Sequence, residues 1–552
     1  MAFLVVALLT RAAAGVKWNA GTAALANPTN VGGFTGRMRH TATSVGVCSI
    51  GTHSQRATCE DAGGVWTGTV YVFGGESDAG FTYKDALVAD ARDLYKYDLA
   101  TGTWARVAPG TARPPSGSAA NMPASHYYLD DGRPRVRRSA HSAAVVYHPK
   151  QGNPVNGRPF IVVFGGTDLE KDAAVVTGAG EQGVRAVRSK DLDDVLLFDP
   201  LRPMDVPPDK TGPRWSVPDF VAVGSQGVKR PDPRHGHAAA TFERTGMVVF
   251  GGYAKERVTE WCGSCPYLND LWILTNDGGV KWKWTYVDNA GFDWPHLLHP
   301  LSVRPHERYG HSFDNFGDAT SEASGKTTMV LFGGKTYNYG DGPRRGNIEY
   351  RKDVWVLEAR YTGTHPLKSS GVTEDNLQLF WRIKPTRGDK LLAPRAFHAT
   401  AVDVDGAKMY VFGGYAVDHD AKRAPRFFDD VWELDLATWQ WTDLTASSGN
   451  SGVAGAHMSA RAHHSAALLR YAPGLHGGGA TVLIVSGLTR VRATGSACGD
   501  ACGLQTTLPQ PQVQSVDDFS ALERCSGSTD TPKELGVNST LASQCVYQFD
   551  LF

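Results

Sequence analysis

Six histidines, each three positions after an arginine, are the residues of this 552-residue chain best suited to chemistry. The pairs are Arg37/His40, Arg138/His141, Arg234/His237, Arg308/His311, Arg395/His398 and Arg461/His464. Imidazole is a general base and a common metal ligand. Six of them converging on one axis would make a metal funnel. A transition-metal site needs ligands about 2.0–2.3 Å from a single ion. A histidine recurring once per repeat has a simpler use in packing and hydrogen bonding. The expectation is no metal, no other cofactor and no catalytic residue.

Eight cysteines form the next group. They fall into near pairs: Cys48/Cys59, Cys262/Cys265, Cys498/Cys502 and Cys525/Cys545. All but Cys545 lie between the recurring landmarks, in insertions. An even number in loops reads as disulfides, with three pairings open among the last four. Cys262-Gly-Ser-Cys265 also has the spacing of half a zinc site, but no second pair of suitable spacing lies nearby.

Three segments mix arginine with aromatic residues. One holds Tyr253, Arg257 and Trp261. Another holds Tyr337, Tyr339, Arg344 and Arg345. The third holds Arg423, Arg426 and Phe427. Aromatic residues and arginine dominate binding hot spots. The alternative is that these rings pack beneath their own loops.

The elements that position these groups repeat. Five apolar runs end in Gly-Gly: Val70 to Gly75, Phe160 to Gly166, Met247 to Gly252, Met329 to Gly334 and Met409 to Gly414. A sixth, Thr481 to Gly487, has Ser486 in place of the first glycine. The steps between successive first positions are 91, 86, 82, 80 and 73 residues. Arg-x-x-His precedes each run. A strand-like hexamer follows, opened by Asp93, Asp194, Asp270, Asp353 or Asp430. Then comes a tryptophan: Trp104, Trp215, Trp282 or Trp284, Trp381 or Trp441. Each unit thus carries four short β-type segments bounded by turn residues. Recurrence on this scale marks a repeat fold, and four strands per unit mark a propeller blade. The fold class is all-β, with little helix, because no stretch sustains apolar spacing of three and four.

The order His-strand, Gly-Gly, Asp-strand, Trp resembles the kelch repeat family, from about residue 16 to the C-terminus. The units exceed the roughly 50 residues usual there, so the chain carries large loop insertions. The resemblance implies a six-bladed kelch-type β-propeller of four antiparallel strands per blade. The blades cover about 37–107, 137–217, 234–287, 308–384, 395–444 and 461–552. The last unit lacks a tryptophan strand, and Val16-Lys17-Trp18 supplies one. Residues 16–20 therefore close the last blade, covering edges that would otherwise pair with other chains.

Phe3 to Leu9 is a short apolar run followed by Thr10-Arg11-Ala12-Ala13-Ala14-Gly15, so 1–15 reads as a signal peptide. Together with the cysteines it places the chain as secreted, extracellular or at the cell surface. Asn538-Ser-Thr540 is then a glycosylation site. No other segment has the 18 apolar residues of a transmembrane helix. Lys+Arg and Asp+Glu are both 56, a formal net charge of zero. That argues against a nucleic-acid partner, which calls for a basic excess. The cluster Arg133, Arg135, Arg137 and Arg138 reads as a solvated loop leading into a strand.

In a four-stranded meander, the connections after Gly-Gly and those between blades emerge on one side. Here they are the long ones: 76–92, 167–193, 253–269, 335–352, 415–429 and 488–544, plus 108–136, 216–233 and 288–307. The opposite side has short turns, except 46–69 and 148–159. Long loops on a rigid frame carry function, and kelch propellers commonly bind partners through this side. The reading is a protein-binding or assembly module within a larger extracellular assembly, with glycan as the second partner class.

Enzymes of kelch form are the alternative. Galactose-oxidase-like copper enzymes need a free cysteine crosslinked to tyrosine, whereas every cysteine here has a near partner. Iron-dependent nitrile specifiers carry Glu-x-x-x-Asp-x-x-x-His. Glu349 and Asp353 begin that pattern, but Leu357 stands where histidine is required. Mutarotase-like sugar enzymes remain on fold analogy alone.

Overall fold

The computed structural model describes residues 16–18, 37–48, 59, 66–75, 92–98, 103–107, 134, 137–150, 153–168, 190–201, 215–220, 230–243, 245–254, 266–276, 281–287, 304–317, 326–337, 348–361, 377–388, 392–417, 425–445, 458, 460–470, 480–491, 539–542 and 546–551. Among them every extended element is a strand, paired antiparallel with one exception.

The strands assemble as consecutive meanders. Unit 1 comprises Thr41–Cys48, Trp66–Phe73, Leu94–Asp98 and Thr103–Arg106. Unit 2 comprises Ser142–Lys150, Asn153–Phe164, Val195–Phe198 and Trp215–Ser216. Unit 3 comprises Ala238–Phe242, Gly246–Tyr253, Tyr267–Asn276 and Lys281–Val287, with Asp219–Phe220 added in parallel outside the last strand. Unit 4 comprises Ser312–Gly317, Lys326–Phe332, Val354–Tyr361 and Leu377–Lys384. Unit 5 comprises Ala399–Asp403, Lys408–Phe412, Val431–Asp435 and Gln440–Asp443. Unit 6 comprises Ser465–Arg470, Ala480–Val485 and Val546–Leu551, and its fourth strand is Val16–Trp18. The register there is Val16 to Leu551, Lys17 to Asp550 and Trp18 to Phe549.

Each sheet is apolar on both faces, so its strands read as near-continuous apolar runs whose alternate residues serve different neighbours. Val70 and Val72 pack with Leu483 and Val485 of unit 6, while Tyr71 and Phe73 pack with Ile161, Val163 and Trp215 of unit 2. Apolar clusters likewise join units 2 and 3, 3 and 4, 4 and 5, and 5 and 6. The core is therefore the set of seams between neighbouring units.

Two of the expected loops are smaller than the sequence implied. The 148–159 connection is a hairpin whose strands pair out to Lys150 and Asn153. In 46–69 the strands pair out to Cys48 and Trp66. Cys59, between them, is fully buried and disulfide-bonded. The solvated reading of the basic cluster fails at Arg138, which is buried in an ion pair.

Candidate binding face around the hub

The landmark arginine of every unit is buried, none more than 2% exposed. Each donates from Nη1 to the carbonyl of the first residue of its Gly-Gly pair: Gly74, Gly165, Gly251, Gly333, Gly413 or Ser486. In units 2 to 5 the guanidinium also grips the landmark aspartate with both nitrogens. Arg138 holds Asp194 at 2.9 and 2.6 Å, and Arg395 holds Asp430 at 2.6 and 2.8 Å. Asp270, Asp353 and Asp430 each take a further bond from the indole two residues on: Trp272, Trp355 or Trp432. Burial alone would raise the Asp353 carboxyl. Hydrogen bonds and charge from Arg308 outweigh it and hold Asp353 below its ordinary value. Unit 1 differs: Asp93 pairs with Arg106, and Arg37 lies 5.0 Å over the Tyr95 ring. The arginine and the aspartate looked like separate landmarks in sequence. They are one buried device that staples the start of one strand to the ends of two others.

The landmark histidines lie in the seams. His141 makes an edge contact with Phe73 of unit 1 at 5.4 Å and shares a hydrogen bond with Thr41 at 3.0 Å. His237 does the same with Phe164 and Ser142, and His398 with Phe332 and Ser312. A Cβ at Gly251 (φ 63°) would lie 2.9 Å from the Arg308 carbonyl and 3.1 Å from the His311 ring, so glycine makes room for the next unit's histidine. Burial, then the neighbouring arginine, lowers the pKa of all six. His40 and His398 fall to about 3. Among the described residues no group of three or more His, Cys, Asp or Glu could hold a metal ion.

The residue just before each landmark histidine builds the hub. Ala140 N donates to Arg39 O, Gly236 N to Ala140 O, Gly310 N to Gly236 O, Phe397 N to Gly310 O, His463 N to Phe397 O and Arg39 N to His463 O, all at 2.8–2.9 Å. These six bonds form a cycle, and all six residues have positive φ. The connections after Gly-Gly start beside it. Several begin as short ribbons rather than irregular loops: Lys335–Tyr337 with Ile348–Tyr350, and Tyr415–Val417 with Pro425–Phe427. The ribbons bridge to the hub through Tyr309 and Lys335, Ala396 and Tyr415, and His235 and Tyr253.

Side chains that differ from unit to unit gather here. Tyr309 covers Gly236 and Phe397 covers Gly310. Phe397 lies 3.9 Å from His463 and stacks on Tyr415 at 5.5 Å, and Tyr415 stacks on Phe427 at 5.7 Å. Lys335, buried, places its ammonium 5.0 Å over Tyr309 and 5.5 Å from Phe397. Burial, and then the charges of Arg39 and Lys335, holds the His463 pKa well below its ordinary value.

Of the predicted binding residues, Tyr253, Tyr337, Arg426 and Phe427 are described. Tyr253 belongs to the hub aromatics, 5.8 Å from Tyr309. Tyr337 is half-buried at the end of its ribbon. Phe427 is half-buried, and Arg426 is exposed and lies 5.1 Å over Phe428. Arg257, Trp261, Tyr339, Arg344, Arg345 and Arg423 lie outside the described residues. So do Asn538, Cys262, Cys265, Cys498, Cys502, Cys525 and Cys545. The sequence reading missed His235, Tyr309, Lys335, Phe397 and His463. Their signal was variation at the two positions inside Arg-x-x-His and just after Gly-Gly.

Residues 396–448, which span unit 5, match the family model of the Kelch motif. Host cell factor 2 of Homo sapiens is 29% identical over 219 residues, covering 39% of this chain and 21% of that protein. Host cell factor homolog hcf-1 of Caenorhabditis elegans is 24% identical over 282 residues, covering 44% and 30%. Host cell factor 1 of Homo sapiens is 24% identical over 282 residues, covering 45% and 12%. The chain thus spans less than a third of the length of these relatives. Among solved structures, that of YjhT aligns over 82% of this chain and 92% of its own, at 13% identity and a TM-score of 0.39.

Proposed function

We propose that this chain is a six-bladed, closed kelch-type propeller acting as a protein-binding or assembly module through the face that carries the Gly-Gly connections. One observation carries the functional part. The residues that repeat, Arg, His and Asp, are used inside the units and their seams, whereas the residues that vary gather at the hub on one face. A repeat that spends its constant residues on architecture leaves its variable ones for recognition. The closed ring is supported by the six-bond cycle, by the seam joining unit 6 to unit 1, and by the Val16–Trp18 pairing. Secretion behind a signal peptide at 1–15, disulfides among the remaining cysteines and a glycan at Asn538 belong to the same reading. They rest on sequence, with the bonded Cys59 in accord.

The test is capture of binding proteins from the extracellular fraction by the full chain, identified by mass spectrometry and compared with a face variant. A partner lost from the variant supports the reading. A partner set indifferent to the face counts against it.

A further inference from the structure

The hub face contains one pair that neither the repeat nor the fold requires. His235 occupies the second position of Arg-x-x-His, where the other units have Met38, Ser139, Tyr309, Ala396 and Ala462. Its Nδ1 lies 2.7 Å from Oδ1 of Asp191. Asp191 is also extra to the repeat, since the landmark aspartate of unit 2 is Asp194, already held by Arg138. The Asp191 side chain is 4% exposed and that of His235 16%.

The mount is rigid. His235 and Tyr253 exchange both backbone hydrogen bonds at 2.9 Å, and the adjacent Arg234 is locked to Asp270. The Nδ1 contact with Asp191 fixes the orientation of the ring. Tyrosine rings flank it. Tyr253 lies 5.2 Å away, Tyr309 meets the ring edge-on at 5.5 Å, and Tyr267 stands against Tyr253 at 5.3 Å. Tyr253 and Tyr267 are half-buried.

We propose that His235, Asp191, Tyr253 and Tyr267 form a subsite for a basic side chain, arginine or lysine, presented by a protein partner. This rests on the protein-binding reading and names what that face recognises. The chemistry is complementary in two ways. Electron-rich ring faces attract a cation. The shielded Asp191 carboxylate supplies negative charge at a site where screening by water is reduced.

The experiment titrates the full chain with arginine amide and with citrulline amide, its uncharged isostere. The His235 imidazole signal is followed by NMR and assigned by its loss in His235→Gln. The expected result is a saturable shift with arginine amide in the millimolar range and binding of citrulline amide weaker by about three- to fivefold or more. Tyr253→Leu and Asp191→Asn should each reduce arginine binding. Should one of these not fold, as judged by thermal unfolding, the other decides. Equal binding of the two amides, no saturable shift, or full binding by the folded variants overturns the proposal. Loss of partner capture in the face variant without arginine binding would remove this inference and leave the protein-binding reading standing.

Discussion

Arg234 and Asp270 face each other through two parallel hydrogen bonds of 2.6 and 2.7 Å, with the guanidinium fully excluded from water. Arg234 Nη1 also donates to the Gly251 carbonyl at 3.1 Å. This arrangement ties the strand ends of one unit together where they meet the hub. Desolvating such a pair is costly, and its benefit appears chiefly when one partner is removed.

Arg234→Met should therefore destabilise the protein by about 3–5 kcal/mol, because the largely shielded Asp270 carboxylate loses its counter-charge. The double change Arg234→Met with Asp270→Leu should recover a large part of the loss. Chemical denaturation of the three proteins reads both numbers. A single variant as stable as the parent would show that the pair contributes only geometry.

The buried histidines predict acid sensitivity. His40 and His398 bind a proton at about 3 when folded and near 6.5 when unfolded. Between those values the unfolded chain holds more protons, so stability rises with pH and is lost as pH falls from 6.5 toward 3. Each such histidine contributes a slope of up to about 1.4 kcal/mol per pH unit. Melting temperature should fall steadily below pH 6.5, and His398→Gln should flatten the slope. An unchanged slope in that variant would contradict the account.

Asp314 works in the opposite sense. Burial raises its pKa to about 6, against the bond donated by the Thr400 hydroxyl at 2.7 Å. The folded state then holds the extra proton between about pH 4 and 6, so this group costs stability as pH rises through that window. Asp314→Asn keeps an acceptor for Thr400 and removes the charge. It should stabilise the protein at pH 7 by on the order of 1–3 kcal/mol, with the gain vanishing near pH 4. A constant gain at all pH values would point to packing instead of ionisation.

Much of the frame was legible in the sequence because the repeat exposes it. The Gly-Gly ends, the Asp-led strands and the tryptophans fall in their expected strands and turns, and Val16–Trp18 pairs with Val546–Leu551. The Arg–Asp contact was not legible as a contact. Arg138 and Asp194 lie 56 residues apart, and only the fold brings them together. Hub residues such as Phe397 and His463 were hidden for another reason. They carry no residue-type periodicity, since only Gly236 and Gly310 match among the six, and periodicity is what the sequence reading used.

Removing residues 1–18 should lower stability by a few kcal/mol, since three antiparallel pairs of unit 6 disappear and an edge strand is uncovered. Thermal unfolding and sedimentation would show a lower midpoint and self-association. A truncated chain that melts and sediments like the parent would sink the idea that this strand completes the ring.

The most direct measurement of the central claim compares three forms of the chain in quantitative capture from the extracellular fraction. These are the parent, the face variant Arg426→Ala/Phe427→Ala, and the opposite-turn variant Asp405→Ala, where Asp405 is exposed between paired strands. The account predicts that the face variant loses its partner by about tenfold or more while remaining folded, as loss of a hot spot does, and that Asp405→Ala captures as the parent does. Equal capture by all three, or a loss with Asp405→Ala as large as with the face variant, would contradict it.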